Sequence, residues 1–158
     1  MNWQAARQAA IWGTLAAGTV FFLRKKSFYA PCDSRRLRRD FGWWWNKRDG
    51  DRFHTGIDFD LPRYSKVLAA KAGTVVSVND NAKADGFGLF ITLKHSDGTL
   101  TKYCHLERIS VSRGQQVQRG EIIALSGKSG HTRKRAQLHF EIRDKTGKPL
   151  NPWEVLRW

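Results

Sequence analysis

From residue 41 onward, apolar and polar residues alternate in short stretches that predict a domain of β-strands. The stretches are rich in Val, Ile, Thr, Phe and Tyr, and turn-forming pairs such as Asp97-Gly98 and Thr146-Gly147 separate them. Alternation with a period of two between glycine-containing turns is typical of antiparallel strands and hairpins. We therefore predict strands at 66–70, 73–78, 89–94, 99–106, 121–126 and 137–143.

One strand pair is especially clear, because two β-rich runs flank the tripeptide Ser96-Asp97-Gly98, which is a hairpin signal. The second run of this pair would carry His105 to its far end. At 158 residues the chain is long enough for one domain with a substantial core. We therefore predict one all-β, mainly antiparallel domain over residues 41–158.

The amino-terminal segment has a different pattern, with 15 uncharged residues at 9–23 followed directly by the basic sequence RKK. As a helix this run spans about 22 Å, which is short of the roughly 30 Å hydrocarbon core of a bilayer. Extension back to Trp3 supplies the missing length, provided that Arg7 reaches the interface. We predict one uncleaved transmembrane helix at 1–26; the alternative is a buried helix of the folded domain.

The charges around this segment create a conflict about its orientation. Three basic residues follow the apolar run and outweigh Arg7 on its other side, and positively charged flanks usually stay in the cytoplasm. By this rule the following domain would lie in the cytoplasm, whereas an exported domain would require a different setting, such as a virion membrane or assembly through a partner. The arginine-rich residues 27–40 predict a basic linker.

Composition adds a basic surface and two cysteines to this picture. The chain has 28 Lys and Arg against 14 Asp and Glu, a net charge of +14. This balance favours nucleic acid, anionic lipid or cell-wall polymer as surroundings, without choosing among them or excluding a simple solvated surface.

Cys32 and Cys104 have no CxxC spacing, which predicts two unpaired thiols, with an oxidised pair as the alternative.

Side chains that can bind a metal lie on the predicted strands. In the segment HTGID, His54 and Asp58 are four residues apart, so in one extended strand they would share a face with Gly56 between them. The missing side chain of Gly56 would leave room for an ion. Ile57 would point to the opposite face, as expected for a strand that carries ligands over a core.

Two further segments offer polar groups in the same way. Alternation in QLHFE places Gln137, His139 and Glu141 on one face of a strand. Alternation in YCHL places Tyr103 together with His105. Each of these patterns is weak when taken alone, but in combination three strands present ligand-capable groups.

The order of these segments resembles a known family. HTGID, YCHL, GKSG at 127–130 and QLHFE look like the HxGxD, YxHL, GxSG and HLHFE motifs of the M23 (LytM/lysostaphin-like) metallopeptidases. The spacing between the motifs and the closing NPWEVL are also similar, and the resemblance covers roughly residues 41–156. It implies an M23-like all-β fold and a bound Zn²⁺.

The resemblance also implies roles for individual residues. His54, Asp58 and His139 fall on the zinc ligands, which leaves a fourth position for water, as in catalytic rather than structural zinc sites. His105 falls on a catalytic histidine that does not bind the metal, and would orient the water, take its proton or stabilise the oxyanion. A strand-end histidine with purely structural hydrogen bonds is the alternative for His105.

One departure from the family pattern concerns catalysis. Where the family has a second catalytic histidine in HLH, this chain has Gln137. An amide can donate a hydrogen bond to an oxyanion, but it does not accept and return a proton at neutral pH, so we expect a slower enzyme. His131, in GKSGHT, is near enough in sequence to be considered as a substitute.

Trp43, Trp44 and Trp45 precede the first motif. As adjacent aromatic residues they would either stack on sugar or form an interfacial belt at a membrane, with at least one of them buried as core.

The favoured function is a membrane-anchored zinc endopeptidase that hydrolyses peptide cross-links of bacterial peptidoglycan, facing the periplasm or the cell wall. One alternative is a degenerate M23 domain that binds zinc and peptidoglycan, or a partner, without efficient catalysis. Another is a virion-associated lytic protein for host entry. Peptidoglycan is the expected partner and the membrane is reached through the amino-terminal helix; nucleic acid is not favoured despite the basic surface, and the oligomeric state is left open.

Overall fold

A computed structural model describes residues 28–46, 50–82, 86–132 and 135–158. Within these ranges, no helix has the length and apolar character needed to cross a membrane. The helix predicted at 1–26 lies outside the described residues. The amino-terminal anchor therefore stays a prediction.

Short strands joined by turns make up most of the described chain. The strands predicted at 89–94 and 137–143 match the observed strands at both ends. In chain order the elements are β1 (Phe28–Tyr29), β2 (Leu37–Arg39), β3 (Gly42–Asn46), β4 (Gly50–His54), β5 (Ile57–Asp60), β6 (Lys66–Leu68), β7 (Gly73–Asn79), β8 (Leu89–Lys94), β9 (Leu100–Ile109), β10 (Gln116–Val117), β11 (Ile122–Ser126), β12 (Gln137–Arg143), β13 (Pro149–Leu150), the short helix α1 (Pro152–Val155) and β14 (Leu156–Arg157).

Ten of the described strands form one main sheet. Its path runs β10-β7-β8-β9-β12-β5-β2, while β11 pairs with both β6 and β9, and β13 pairs with β12. All of these pairings are antiparallel. Two small sheets, β1–β14 and β3–β4, lie outside it. The predicted mainly antiparallel β fold is confirmed.

The hydrophobic core lies on one face of the main sheet. Successive residues of a strand point to opposite faces, and in β12 Leu138, Phe140 and Ile142 are fully buried. Phe140 pairs directly with Tyr103 of β9, which is also fully buried, so apolar positions of neighbouring strands cover the same side. Burial of such side chains contributes about 1.5–3 kcal/mol each. His139, between Leu138 and Phe140, therefore points to the opposite face.

Residues 28–40 belong to the fold, which differs from the linker predicted there. β2 pairs with β5 at an edge of the main sheet, and β1 pairs with β14. Phe28 and Cys32 are almost completely buried in the core. The arginines that suggested a linker, such as Arg35 and Arg36, are exposed on this segment, so their charge is compatible with a folded edge strand.

The two cysteines are separate buried thiols. Cys32 and Cys104 are both free, which confirms the prediction of unpaired thiols. Burial raises the pKa of the Cys32 thiol to about 11.

Candidate metal centre

His54, Asp58 and His139 come together on the face of the sheet opposite the core. His54 is the last residue of β4, Asp58 lies in β5 and His139 lies in the middle of β12. β5 and β12 are hydrogen-bonded neighbours in which Asp58 and His139 are direct partners. Side chains at partner positions share a face and lie close together, so the strand register itself brings these two groups into contact.

The three side chains direct one atom each toward a common point. His139 Nδ1 lies 2.8 Å from Asp58 Oδ1, His54 Nε2 lies 3.2 Å from the same oxygen, and the two nitrogens are 3.0 Å apart. In a tetrahedral zinc site with bonds of about 2.0 Å, neighbouring ligand atoms are ~3.3 Å apart. Two imidazoles and a carboxylate at this spacing form a donor set that fits Zn²⁺.

A hydrogen bond on the far side of each imidazole determines which nitrogen faces the metal position. His54 donates from Nδ1 to the backbone carbonyl of Asp40 at 2.7 Å, so Nε2 keeps its lone pair. His139 donates from Nε2 to Glu141 Oε1 at 3.0 Å, so Nδ1 keeps its lone pair. Partners of this kind orient metal-binding histidines and increase their basicity.

The carboxylate of Asp58 is held in its charged form. Burial favours a higher pKa, but the hydrogen bonds that His139 and His54 donate when their rings are protonated outweigh it and hold the pKa of Asp58 well below its usual range. A buried carboxylate that stays ionised is the form that binds a metal ion.

The chain between His54 and Asp58 does not form the single strand that was predicted. β4 pairs with β3, whereas β5 pairs with β12, and Thr55 and Gly56 link the two sheets. A Cβ on Gly56 would lie 2.3 Å from the backbone oxygen of Phe140. Glycine is therefore needed because two backbones approach closely, and the prediction that it leaves room for an ion is wrong.

His105 lies beside the candidate ligands, but strand alternation does not place it there. It has φ +62°, a left-handed conformation that is uncommon for residues other than glycine. The register between β8 and β9 shifts at this residue, since Leu106 pairs with Leu89 and Cys104 pairs with Phe90. His105 is thus the extra residue of a β-bulge inside β9 rather than at its far end.

This bulge separates His105 from Tyr103. Tyr103 faces the core, where its hydroxyl accepts a hydrogen bond from the backbone N–H of Ala70 at 2.9 Å. The ring of His105 lies 6.0 Å, centre to centre, from the ring of His139. The prediction that Tyr103 and His105 share one face is therefore wrong, although His105 does reach the site.

His105 is oriented as a proton acceptor. Its Nδ1 donates to the backbone carbonyl of Ser129 at 2.9 Å, which leaves Nε2 with the lone pair. Burial, with a smaller contribution from the nearby His139, lowers the pKa of His105 to about 4. The imidazole is therefore neutral at neutral pH.

A pocket of about 270 Å³ opens over the ligand atoms. His105 and Gln137 line this pocket together with the three ligand candidates, so every predicted site residue is brought to one place. His131 also lines it, at the exposed rim, where its backbone N–H donates to the carbonyl of Gly86 at 2.8 Å. Arg39 and Arg52 add positive charge to the walls.

Trp43 stands on the hairpin next to this pocket. Its side chain is 75% exposed, and its ring packs edge-on against Phe53 with centres 5.5 Å apart. Phe53 itself lines the pocket. The side chains of Trp44 and Trp45 lie outside the described part of the chain.

Peptidase family M23 matches residues 52–152, a span that contains all five predicted site residues. The chain belongs to this family. Because M23 peptidases depend on zinc and the donor set fits that ion, Zn²⁺ is the cofactor.

Curated relatives share this domain but are much longer. The lipoprotein NlpD/LppB homolog of Pseudomonas aeruginosa is 40% identical over 101 residues, which cover 64% of this chain and 32% of that protein. The peptidoglycan DD-endopeptidase ShyA of Vibrio cholerae is 35% identical over 98 residues, which cover 62% of this chain and 22% of that protein. This chain thus spans about a third or less of the length of these relatives.

Solved structures share the fold. A zinc-containing peptidase from Vibrio cholerae superimposes with a TM-score of 0.71 at 30% identity, covering 81% of this chain and 40% of that chain. The catalytic domain of lysostaphin from Staphylococcus simulans superimposes with a TM-score of 0.65 at 26% identity, covering 75% of this chain and 89% of that chain. The M23 fold predicted from the motifs is confirmed.

Sequence reasoning missed the groups that hold the candidate ligands in place. Alternation put Glu141 on the same face as His139, but it did not indicate the hydrogen bond between them. The carbonyl of Asp40 that binds His54 belongs to the backbone, so no residue type at that position could have indicated it.

Proposed function

We propose that this chain is a zinc-dependent endopeptidase that hydrolyses peptide cross-links of bacterial peptidoglycan. The strongest support is the convergence of His54 Nε2, Asp58 Oδ1 and His139 Nδ1 within 3.2 Å of one another. The name of one relative, a peptidoglycan DD-endopeptidase, supports the substrate class. His54, Asp58 and His139 are the proposed ligands, with a fourth position open to water.

His105 and Gln137, beside the proposed ligands, have different catalytic roles in this proposal. Zn²⁺ held by these three residues would supply Lewis-acid activation of the water and of the scissile carbonyl. His105, whose Nδ1 is fixed on Ser129, uses Nε2 to take the proton of the attacking water and to return it to the leaving amine. Gln137 donates an amide N–H to the oxyanion but does not transfer protons.

Zymography on purified peptidoglycan tests this proposal. The wild-type protein should clear the substrate, a chelator should stop clearing, and added zinc should restore it. His54→Ala should not clear under any of these conditions. A protein that holds zinc and folds but clears nothing would contradict the proposed activity.

The second candidate function is a degenerate M23 domain that binds zinc and peptidoglycan, or a partner, without efficient turnover. The observation that favours it is Gln137, which lines the pocket where the family motif has a proton-transferring histidine. Binding of the wild-type protein to intact peptidoglycan without release of soluble fragments would support this second function.

We also propose that the protein is attached to the cell envelope by residues 1–26, with the peptidase domain facing the periplasm or the cell wall. The names of two relatives, a lipoprotein NlpD/LppB homolog and an outer membrane antigenic lipoprotein, support an envelope location. The full chain should fractionate with membranes, and deletion of 1–26 should release it. Recovery from purified phage particles instead would support the virion alternative.

A further inference from the structure

Glu141 carries a charge but is completely buried, on the same face of β12 as His139. Burying a carboxylate is costly unless each oxygen is paired and hydrogen-bonded. One oxygen contacts the segments that carry the proposed ligands, and the other contacts an arginine.

Oxygen Oε1 connects the two chain segments that carry the proposed ligands. It accepts the Nε2 hydrogen of His139 at 3.0 Å and the hydroxyl hydrogen of Thr55 at 2.5 Å. Thr55 lies between His54 and Asp58, in the link from β4 to β5. One oxygen atom therefore holds the His54–Asp58 segment and the His139 ring in a fixed relation.

Oxygen Oε2 is held by an arginine that is itself anchored. Arg143 donates to it from Nε and from Nη2, both at 2.7 Å. A third donor of the guanidinium, Nη1, binds the carbonyl of Gly147 at 2.9 Å, in the turn between β12 and β13. Arg143 thus fixes Glu141 from the side away from the ligands.

We propose that Glu141 is the positioning residue of the zinc centre and that Arg143 sets its orientation. The proposal rests on the proposed ligand set. Because all the described partners of Glu141 are donors, both oxygens must accept, and a carboxylate is the group that does so. With Oε1 facing Nε2 of His139, the ring presents the lone pair of Nδ1 to the metal.

The variant Glu141→Gln tests this requirement with little change in shape. An amide has one accepting and one donating end, and Arg143 selects the accepting end. The NH₂ group then faces Nε2 of His139 and favours the tautomer with hydrogen on Nδ1, which is the wrong one for zinc. We expect zinc affinity to fall by about 10–100-fold, measured by chelator competition, and ¹⁵N NMR of the zinc-free protein to show the changed tautomer of His139.

A double variant separates positioning from a general structural effect. In Glu141→Gln/Arg143→Met the arginine no longer competes for the amide oxygen, which can turn toward His139. We expect this double variant to bind zinc several-fold more tightly than Glu141→Gln alone. The matched control is Arg63→Met, which breaks the exposed pair of Arg63 with Glu107 and should leave zinc affinity unchanged.

The outcomes are distinct. Wild-type zinc affinity in Glu141→Gln, or a double variant that binds no better than the single one, would overturn the positioning role. If Glu141→Gln does not fold, Thr55→Val carries the test: it removes one donor to Oε1, and unchanged zinc affinity would overturn the role. Absence of zinc from the wild-type protein would instead overturn the ligand set on which the proposal rests.

Discussion

Two buried clusters that contain histidine lie on opposite faces of the main sheet, one around His95 and one around His54 and His139. They differ in the hydrogen-bond partners of their ring nitrogens. On the core side, His95 has both nitrogens bonded, to the carbonyl of Ala72 and to the hydroxyl of Thr101, each at 2.9 Å. The hydroxyl of Thr101 is also hydrogen-bonded to the hydroxyl of Tyr103, at 3.1 Å. This histidine is fully satisfied by the fold.

On the site side, each histidine uses one nitrogen for support and turns the other toward a shared point. His54 and His139 keep Nε2 and Nδ1 free for the position that they share with Asp58. Pocket size does not indicate the site, because the pocket beside His95 is the larger of the two, at about 550 Å³ against about 270 Å³ for the pocket over the candidate ligands. Converging lone pairs, rather than burial or volume, distinguish the candidate metal centre.

The largest effect should come from removing a ligand nitrogen. His139→Ala leaves two ligand atoms, so we expect loss of stoichiometric zinc and of peptidoglycan clearing. Metal analysis and zymography measure this directly. If His139→Ala kept one zinc per chain, His139 would not be a zinc ligand, and the difference between the two clusters would have no role in metal binding.

Removing the proton acceptor should leave zinc in place but slow the reaction. His105→Asn is the better variant, because asparagine tolerates the φ of +62° at this position. We expect kcat to fall by about 10²–10⁴-fold, as for loss of a general acid–base group, with unchanged zinc content. Turnover within a few-fold of wild type in a dye-release assay would instead favour a purely structural histidine.

A smaller effect, in this case an increase in turnover, should follow from restoring the family histidine at position 137. We expect Gln137→His to raise turnover by about 10-fold or more, a part of what a proton-transferring group can supply. His131→Ala, made in the wild type and in Gln137→His, shows whether His131 acts as the substitute: only the wild type should then lose activity. No gain in a zinc-loaded Gln137→His protein would favour the degenerate domain.

The smallest effect on the site should come from the other cluster. His95→Ala leaves Thr101 and a backbone carbonyl without their partner and opens a cavity, so we expect the free energy of unfolding to fall by about 2–4 kcal/mol. Zinc content and clearing should not change. Urea denaturation of the zinc-free protein measures the loss, and loss of zinc would show that the two faces are not independent.

The fold and the candidate ligand residues could be predicted because both depend on local patterns. The resemblance of HTGID and QLHFE to the family motifs indicated His54, Asp58 and His139 as candidate ligands, and period-two alternation indicated β8 and β12 with the correct ends. The family match agrees with the predicted fold and spans the three candidate ligands.

The parts that could not be predicted depend on contacts between distant segments. The bulge at His105 exists only in the register of β9 against β8, and the need for Gly56 arises from the backbone of β12. The role of Glu141 requires Thr55 and Arg143 to meet around one carboxylate. The charge of residues 28–40 indicated a linker. Alternation in this segment is too short to show that β2 pairs with β5.

A side-by-side zinc measurement on purified wild type, His139→Ala and His95→Ala tests directly whether His54, Asp58 and His139 bind the metal. The structure predicts close to one zinc per chain in the wild type and in His95→Ala, and none retained by His139→Ala. A wild-type protein without near-stoichiometric zinc, or equal zinc in all three, would contradict the assignment of His54, Asp58 and His139 as the metal centre.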